Sequence, residues 1–293
     1  MLIAALRSYR IFFIILILFE LSVSVNAQTD SVTFTNAVVR SEKIAHGIVL
    51  KRYRFTDSSL FNSHQNISVL EIKQGRKAMM DLAYEVKEKK TTSTFGKENN
   101  AIAALNGTFF NVQDGGSVDF IRSDGKVINE NVLNKKGERA THQKAGVTIR
   151  KGKLDIVKWD GTADWEKKLK ADDVMLSGPL LVEEHHAAAL DSALFNTARH
   201  PRTAVGRIDK RKILLLAVDG RHENAAGMSL FELSSVLRWM GCREAINLDG
   251  GGSTALWIYN APENGVVNYP SDNKLWDHQG ERKVANVLLL KRK

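Results

Sequence analysis

Apolar residues along this chain fall mostly into short runs broken by turn residues, and only rarely at helical spacing. Runs rich in β-branched and apolar side chains occupy Ile48 to Phe55, Ile67 to Lys73, Ala101 to Leu105, Ala145 to Arg150, Leu154 to Trp159 and Val174 to Leu176. Others occupy Thr203 to Ile208, Ile213 to Val218, Ala245 to Leu248, Thr254 to Tyr259 and Val284 to Leu290. Such runs predict strands. The stretches "SDGK", "RKGK" and "DKRK" between them read as tight turns.

Three segments read as helix: about Thr94 to Asn100, Ala163 to Leu169, and Ser229 to Met240. The last is the clearest, because Leu230, Leu233, Val236, Leu237 and Met240 form an apolar stripe. Ser229 stands at the N-cap, Glu232 completes a capping box, and Gly241 follows as C-cap. The pattern predicts an α+β fold, a single mixed, sheet-dominated domain with few helices.

Residues 1–27 break this pattern. Arg7 and Arg10 precede the apolar run Ile11 to Phe19, and the small residues Val25 and Ala27 stand before Gln28. That arrangement predicts a cleaved signal peptide; the run is too short to span a bilayer and Glu20 interrupts it. No stable membrane anchor is expected after cleavage. Residues 28–65 then read as a β lead-in packed on a main domain over 66–293, with no linker or repeat to divide them further.

Charge and cysteine content narrow the setting. Loss of Arg7, Arg10 and Glu20 takes the formal net charge from +9 to +8. The excess sits in "KEKK", "NKKGER", "RKGK", "DKRK" and the terminal "KRK", at turns and ends rather than on one stripe, so no nucleic-acid partner is expected. Cys242 is the single cysteine and has no partner for an intramolecular disulfide. An exported chain of this kind suits a bacterial periplasm or cell exterior.

The candidate chemistry lies where polar residues end the apolar runs. In "AALNGTFFN" a strand ends at Asn106 and Gly107, which alone reads as a turn. In "MLSGPLLV", Ser177, Gly178 and Pro179 interrupt a strand, and the proline alone indicates a bulge or an edge. Arg202 precedes the strand that starts at Thr203, where a guanidinium could clamp a phosphate in bidentate fashion or remain solvated.

Two strands then deliver an Asp-Gly at their C-terminal ends: "LLLAVDGR", with Asp219 and Arg221, and "AINLDGGGST", with Asn247, Asp249, Gly250, Gly251, Gly252 and Ser253. A carboxylate in such a place can act as acid, base, nucleophile or metal ligand. Following glycines let backbone approach an anion. Of the histidines, His185 and His186 read as an exposed turn, while His200 and His222 stand beside these motifs.

The ordered set "NGTFF", "SGPLL", "RTAVG", "VDGR", "NLDGGGST" and "RKVANVLLL" resembles the phosphodiester glycosidase family over about Ile67 to Leu290, with "IAHGIVLKRYRF" as its lead-in. The resemblance implies one mixed α/β domain that hydrolyses a sugar-1-phosphodiester, such as a phosphoglycan, at the glycosyl C1–O–P linkage. Carried over residue by residue, it assigns catalysis to Asp249, Asp219, Arg202 and Asn106. It assigns substrate binding to Gly107, Ser177, Gly178, Thr203, Arg221, Asn247, Gly250, Gly251, Gly252, Ser253 and Arg282. In that reading Asp249 and Asp219 face the sugar, Arg202 and the N–H groups of Gly250 to Ser253 face the phosphate, and Asn106 bonds a sugar hydroxyl or the phosphate. Two alternatives stand beside it. One is a phosphodiesterase cutting P–O with a divalent cation on Asp219, Asn247 and Asp249, and the other is a glycan-binding protein without catalysis.

Overall fold

The computed structural model describes residues 29–75 and 77–293. The expected signal peptide and its cleavage before Gln28 lie outside the described residues. Among the described residues no helix is long and apolar enough to cross a membrane.

Among the described residues, three antiparallel sheets carry the fold. The largest has the order β1 (Arg40–Ala45), β2 (Ile48–Leu60), β3 (Ser63–Lys73), β14 (Lys212–Val218), β13 (Arg202–Arg207), β15 (Glu244–Asn247), β11 (Leu180–Glu183) and β12 (His186–Ala187). A second runs β7 (Lys126–Asn129), β6 (Ile121–Ser123), β10 (Asp173–Ser177), β8 (Ala145–Arg150) and β9 (Lys153–Lys158). The third runs β16 (Leu256–Ile258), β5 (Ala103–Asn106), β17 (Asn286–Arg292) and β4 (Ala78–Tyr84). The expected division at residue 65 falls inside β3, whose pairing with β14 in register Ile67↔Val218 continues the main sheet.

Strand β14 explains why its sequence, "KILLLAV", shows no alternation. Ile213, Leu215 and Ala217 enter a core shared by all three sheets, with Leu50, Leu70, Met80, Leu105, Val147, Met175, Leu256 and Leu288. Leu214, Leu216 and Val218 point the other way into a second core, built with α5 (Leu230–Trp239) through Leu230, Leu233, Val236 and Leu237. A strand covered on both faces is apolar throughout. The helix begins where the sequence placed it: Ser229 Oγ accepts from the Glu232 N–H at 3.2 Å, and the Ser229 N–H donates to Glu232 Oε2 at 2.8 Å.

All eleven predicted strands are present, β8 with the ends expected and the others with shifted ends. Strand β4 escaped prediction because "AMMDLAY" holds no β-branched residue; pairing with β17, Leu82 opposite Leu288, places it in the sheet. Strands β1, β6, β7, β11 and β12 were also unpredicted, and most are too short to show a period. The first helix keeps its expected length but lies two residues earlier, at Thr92–Glu98, the second is shorter, at Trp165–Lys168, and two more occupy residues 29–35 and Leu194–Thr197.

The C-terminal ends of β5, β10, β14 and β15 bring "NG", "SG", "DG" and "NLDGGGS" to one region. They come from all three sheets.

Replacing Ser229 with Ala removes one half of the capping box. The expected loss is about 1 kcal/mol, read as a lower denaturation midpoint at unchanged slope.

Candidate active site

Asp249 follows the buried Leu248 at the end of β15 and keeps part of its surface open to solvent. Its backbone is held from the neighbouring sheet: the Asp249 N–H donates to Gly107 O at 3.0 Å, and Asn106 Nδ2 donates to Asp249 O at 2.6 Å. Asn106 Oδ1 accepts from Thr203 Oγ1 at 2.8 Å and from the Ala255 N–H at 3.1 Å. Asn106 and Thr203 are both fully buried. The expectation that Asn106 meets a sugar hydroxyl or phosphate is therefore corrected: its amide braces the Asp249 loop. Gly107 serves the same joint, since a Cβ there would stand 2.1 Å from Asn286 Oδ1.

Burial pushes the Asp249 carboxyl up to about 6, while the Ser253 hydroxyl, the Arg282 charge and the Gly250 N–H hold it down. At neutral pH it is mostly ionised.

The three glycines each admit a different close approach. A Cβ on Gly250 would lie 2.7 Å from Pro201 O, which also accepts the Gly251 N–H at 2.8 Å. Gly251 sits at φ +62°, and a Cβ there would come 3.0 Å from Arg221 Nη2. A Cβ on Gly252 would stand 2.5 Å from Asp272 Oδ1 and 2.6 Å from Arg282 Nη2. Two guanidiniums thus rest directly on the backbone that follows Asp249. The expected N–H cradle needs correction. The Gly251 N–H goes to Pro201, the Ser253 N–H goes to Gly250 O at 3.2 Å, and the Gly250 N–H turns to the Asp249 carboxylate.

Arg282 donates from Nε and Nη2 to Asp272 Oδ1, at 3.0 and 2.5 Å. The loop carrying both is fixed by a stack of rings. Trp276 lies parallel to Tyr269 at 4.1 Å, His222 covers Trp276 at 5.0 Å, and His278 meets Tyr269 at 4.3 Å. Arg221 is exposed and lies 3.4 Å from His200 Nδ1, and burial together with Arg202 and Arg221 lowers the His200 pKa. His185 lies exposed in the β11–β12 turn, and His186, also exposed, begins β12.

Arg202 and Asp219 do not occupy the places expected of them. Arg202 is 1% exposed; its Nε donates to Met228 O at 2.8 Å, and its Nη2 to Phe195 O at 2.7 Å and Ala198 O at 2.8 Å. A guanidinium spent on three backbone carbonyls braces loops rather than clamping a phosphate. Asp219 is fully buried and accepts from Asn66 Nδ2 at 2.6 Å, Asn268 Nδ2 at 3.0 Å and the Tyr269 N–H at 2.8 Å. Burial pushes its carboxyl up to about 7 against those three donors. It ties β3, β14 and the Tyr269 loop together, away from solvent.

Ser177 and Asn247 are also fully buried, and Asn247 Nδ2 donates to Gly178 O at 2.9 Å, joining β15 to the end of β10. The three residues proposed for a divalent cation do not form a ligand set, because both Asp219 oxygens are already taken by N–H donors; Asn247 donates from Nδ2 to Gly178 and its Oδ1 is buried without a hydrogen-bond partner. Among the described residues no cluster of three or more His, Cys, Asp or Glu side chains is arranged to hold a metal.

The structure also brings forward residues to which the sequence gave no role, Phe109 of "NGTFF" among them. Phe109 and the 44%-exposed Phe195 stand 6.2 Å apart, with Phe195 5.1 Å from the Arg202 guanidinium. His142 stands 5.2 Å from Phe109 and pairs with the buried Asp119. Asp119 and His142 are 23 residues apart, without a diagnostic spacing, so only the fold brings them together.

A family model described as phosphodiester glycosidase matches residues 99–291. The mouse N-acetylglucosamine-1-phosphodiester alpha-N-acetylglucosaminidase is 28% identical over 197 residues, covering 63% of this chain and 36% of that protein. The chain thus spans little more than a third of this relative's length. The catalytic domain of the zebrafish enzyme of the same name superposes with a TM-score of 0.61 at 23% identity, covering 87% of this chain and 84% of the other. A hypothetical protein from Synechocystis superposes at 0.64 with 14% identity, covering 87% of this chain and 64% of the other. These two structures share the fold. With its family model spanning most of the described chain and its motifs gathered around Asp249, the chain belongs to the phosphodiester glycosidase family.

Proposed function

We propose that the protein hydrolyses a sugar-1-phosphodiester at the glycosyl C1–O bond, with Asp249 facing the sugar and Arg221 and Arg282 facing the phosphate. One observation carries this reading: the carboxylate of a residue that keeps part of its surface open is followed at once by two guanidiniums seated on its own glycine loop. Cleavage of C1–O builds positive charge on the sugar ring and a second negative charge on the departing phosphate. A carboxylate beside two cations, all prepositioned by backbone contacts, stabilises both charges as they form. Phe109 and Phe195 offer an apolar surface for the sugar. Ser253, Gly250, Gly251 and Gly252 shape the loop, while Asn106, Gly107, Thr203, Ser177, Gly178, Asn247, Arg202 and Asp219 hold its surroundings. The mouse relative's name specifies N-acetylglucosamine 1-phosphodiester. For this chain the proposed substrate class is the wider one, a cell-surface or environmental phosphoglycan. The N-terminal pattern supports export to a periplasm or the cell exterior.

Hydrolysis in heavy-oxygen water separates the two hydrolytic readings: the label is expected in the sugar hydroxyl, and label in the phosphate would instead mean P–O cleavage. Asp249→Asn keeps the shape and removes the charge, so kcat should fall at least roughly a hundredfold with melting temperature little changed. Because the ionised carboxylate is the active form, the wild-type rate should fall as pH drops through about 6, and a flat profile there would remove Asp249 from the chemistry.

Arg221 has its donors largely free, so Arg221→Gln should lower kcat/KM by roughly tenfold to a hundredfold, the loss of a charged hydrogen bond, in a stably folded protein. Arg202→Lys should do the reverse. Its three carbonyls lose their fork, so stability should fall by about 1–3 kcal/mol, while well below its melting temperature the folded protein keeps most of its rate.

A further inference from the structure

Asp119 is fully buried just before β6, and both of its carboxylate oxygens lie against His142 Nδ1, at 2.9 and 2.7 Å. An ionised carboxylate only accepts, so Nδ1 carries the proton and donates it, and Nε2 of the neutral ring is left as an acceptor. Gln143 Nε2 donates to Asp119 Oδ1 at 3.2 Å, which further fixes the carboxylate. The His142 side chain nevertheless keeps 36% of its surface. A buried acid orienting a half-open imidazole is an arrangement suited to moving a proton.

Its place in the fold adds to this. His142 lies in the short turn Thr141–Gln143, packed on Gly178: a Cβ there would stand 3.2 Å from His142 Cα. Gly178 O receives Asn247 Nδ2, two residues before Asp249. The imidazole also stands 5.2 Å from Phe109, on the segment whose Gly107 carbonyl holds the Asp249 N–H. Beyond Phe109 come Phe195 and Arg202, whose Cα is 3.6 Å from where a Cβ on Gly250 would be. The aromatic wall and the two guanidiniums therefore border the same loop. Gly107, Gly178 and Arg202 connect it to the wall; Gly251 and Gly252 connect it to the cations.

We propose that His142, oriented by Asp119, is the proton acceptor of the hydrolytic step. The proposal rests on the C1–O reading given above. Water oxygen bonds to C1 as the C1–O bond breaks, and that electron pair departs with the phosphate as a monoester dianion. The proton lost by the water passes to His142 Nε2 and then to solvent. Asp249 stabilises the positive charge on the sugar throughout, and nothing is oxidised or reduced.

The test uses the full chain and a simple glycosyl-1-phosphate methyl diester. His142→Ala is expected to lower kcat at least roughly a hundredfold, with KM changed by less than about threefold. Added imidazole should then raise the variant's rate at least roughly tenfold while leaving wild type and Asp249→Asn unchanged. A purely structural histidine gives no such rescue. His142→Gln, whose amide can still donate to Asp119, serves as the second variant where the alanine form is unstable, and it too should be slow and folded. Near wild-type kcat in either folded variant, or a slow His142→Ala that imidazole fails to rescue, overturns the assignment. A wild-type protein that places heavy oxygen in the phosphate overturns the C1–O reading itself, and the proton-acceptor role with it.

Discussion

The joint between Asn106, Gly107 and Asp249 is the constraint on which the rest of the site depends. One amide and one carbonyl from the end of β5 take both backbone polar groups of Asp249, which lies at the end of a strand in a different sheet. Because Asn106 is itself held by Thr203 and the Ala255 N–H, the carboxylate's position is set by groups that never reach solvent. Buried polar groups with every partner in place are rigid, and a fixed carboxylate needs little reorganisation when charge develops beside it.

The glycine run follows from the same need for close approach. Side chains at Gly250, Gly251 and Gly252 would displace in turn a carbonyl, a guanidinium, and an ion pair. The lost packing and the backbone entropy of three glycines are offset by two cations brought against main chain beside a carboxylate. The ring stack from His222 to His278 then limits how far the Arg282 loop can move.

Buried charges away from the solvent-facing site do a different job. Arg202 and Asp219 are each satisfied by three neutral groups, so removing the fork or the carboxylate would leave those groups unpaired. Such residues stand in the same motifs as groups that face the open site, because the loops they hold carry the chemistry. A motif reading cannot separate the two roles. Its assignment of Arg202 to phosphate and of Asn106 to a ligand took the right residues and gave them the wrong partners.

What the amino-acid sequence determined by itself was local. The run "KILLLAV" announces a strand covered on both faces, Ser229 and Glu232 announce the start of α5, and "NLDGGGST" announces a backbone that something approaches. These signals depend on residues within a few positions of one another. Strand β4 lacked that local signal and was decided by its pairing with β17. The direction each polar group faces was also decided only by tertiary structure. Arg202 meets Met228, Asp219 meets Asn66 and Asn268, and His142 meets Asp119 through contacts that cross sheets and loops. Whether a charge turns to solvent or to a buried carbonyl depends on desolvation and on partners remote in the chain, and neither is encoded in spacing.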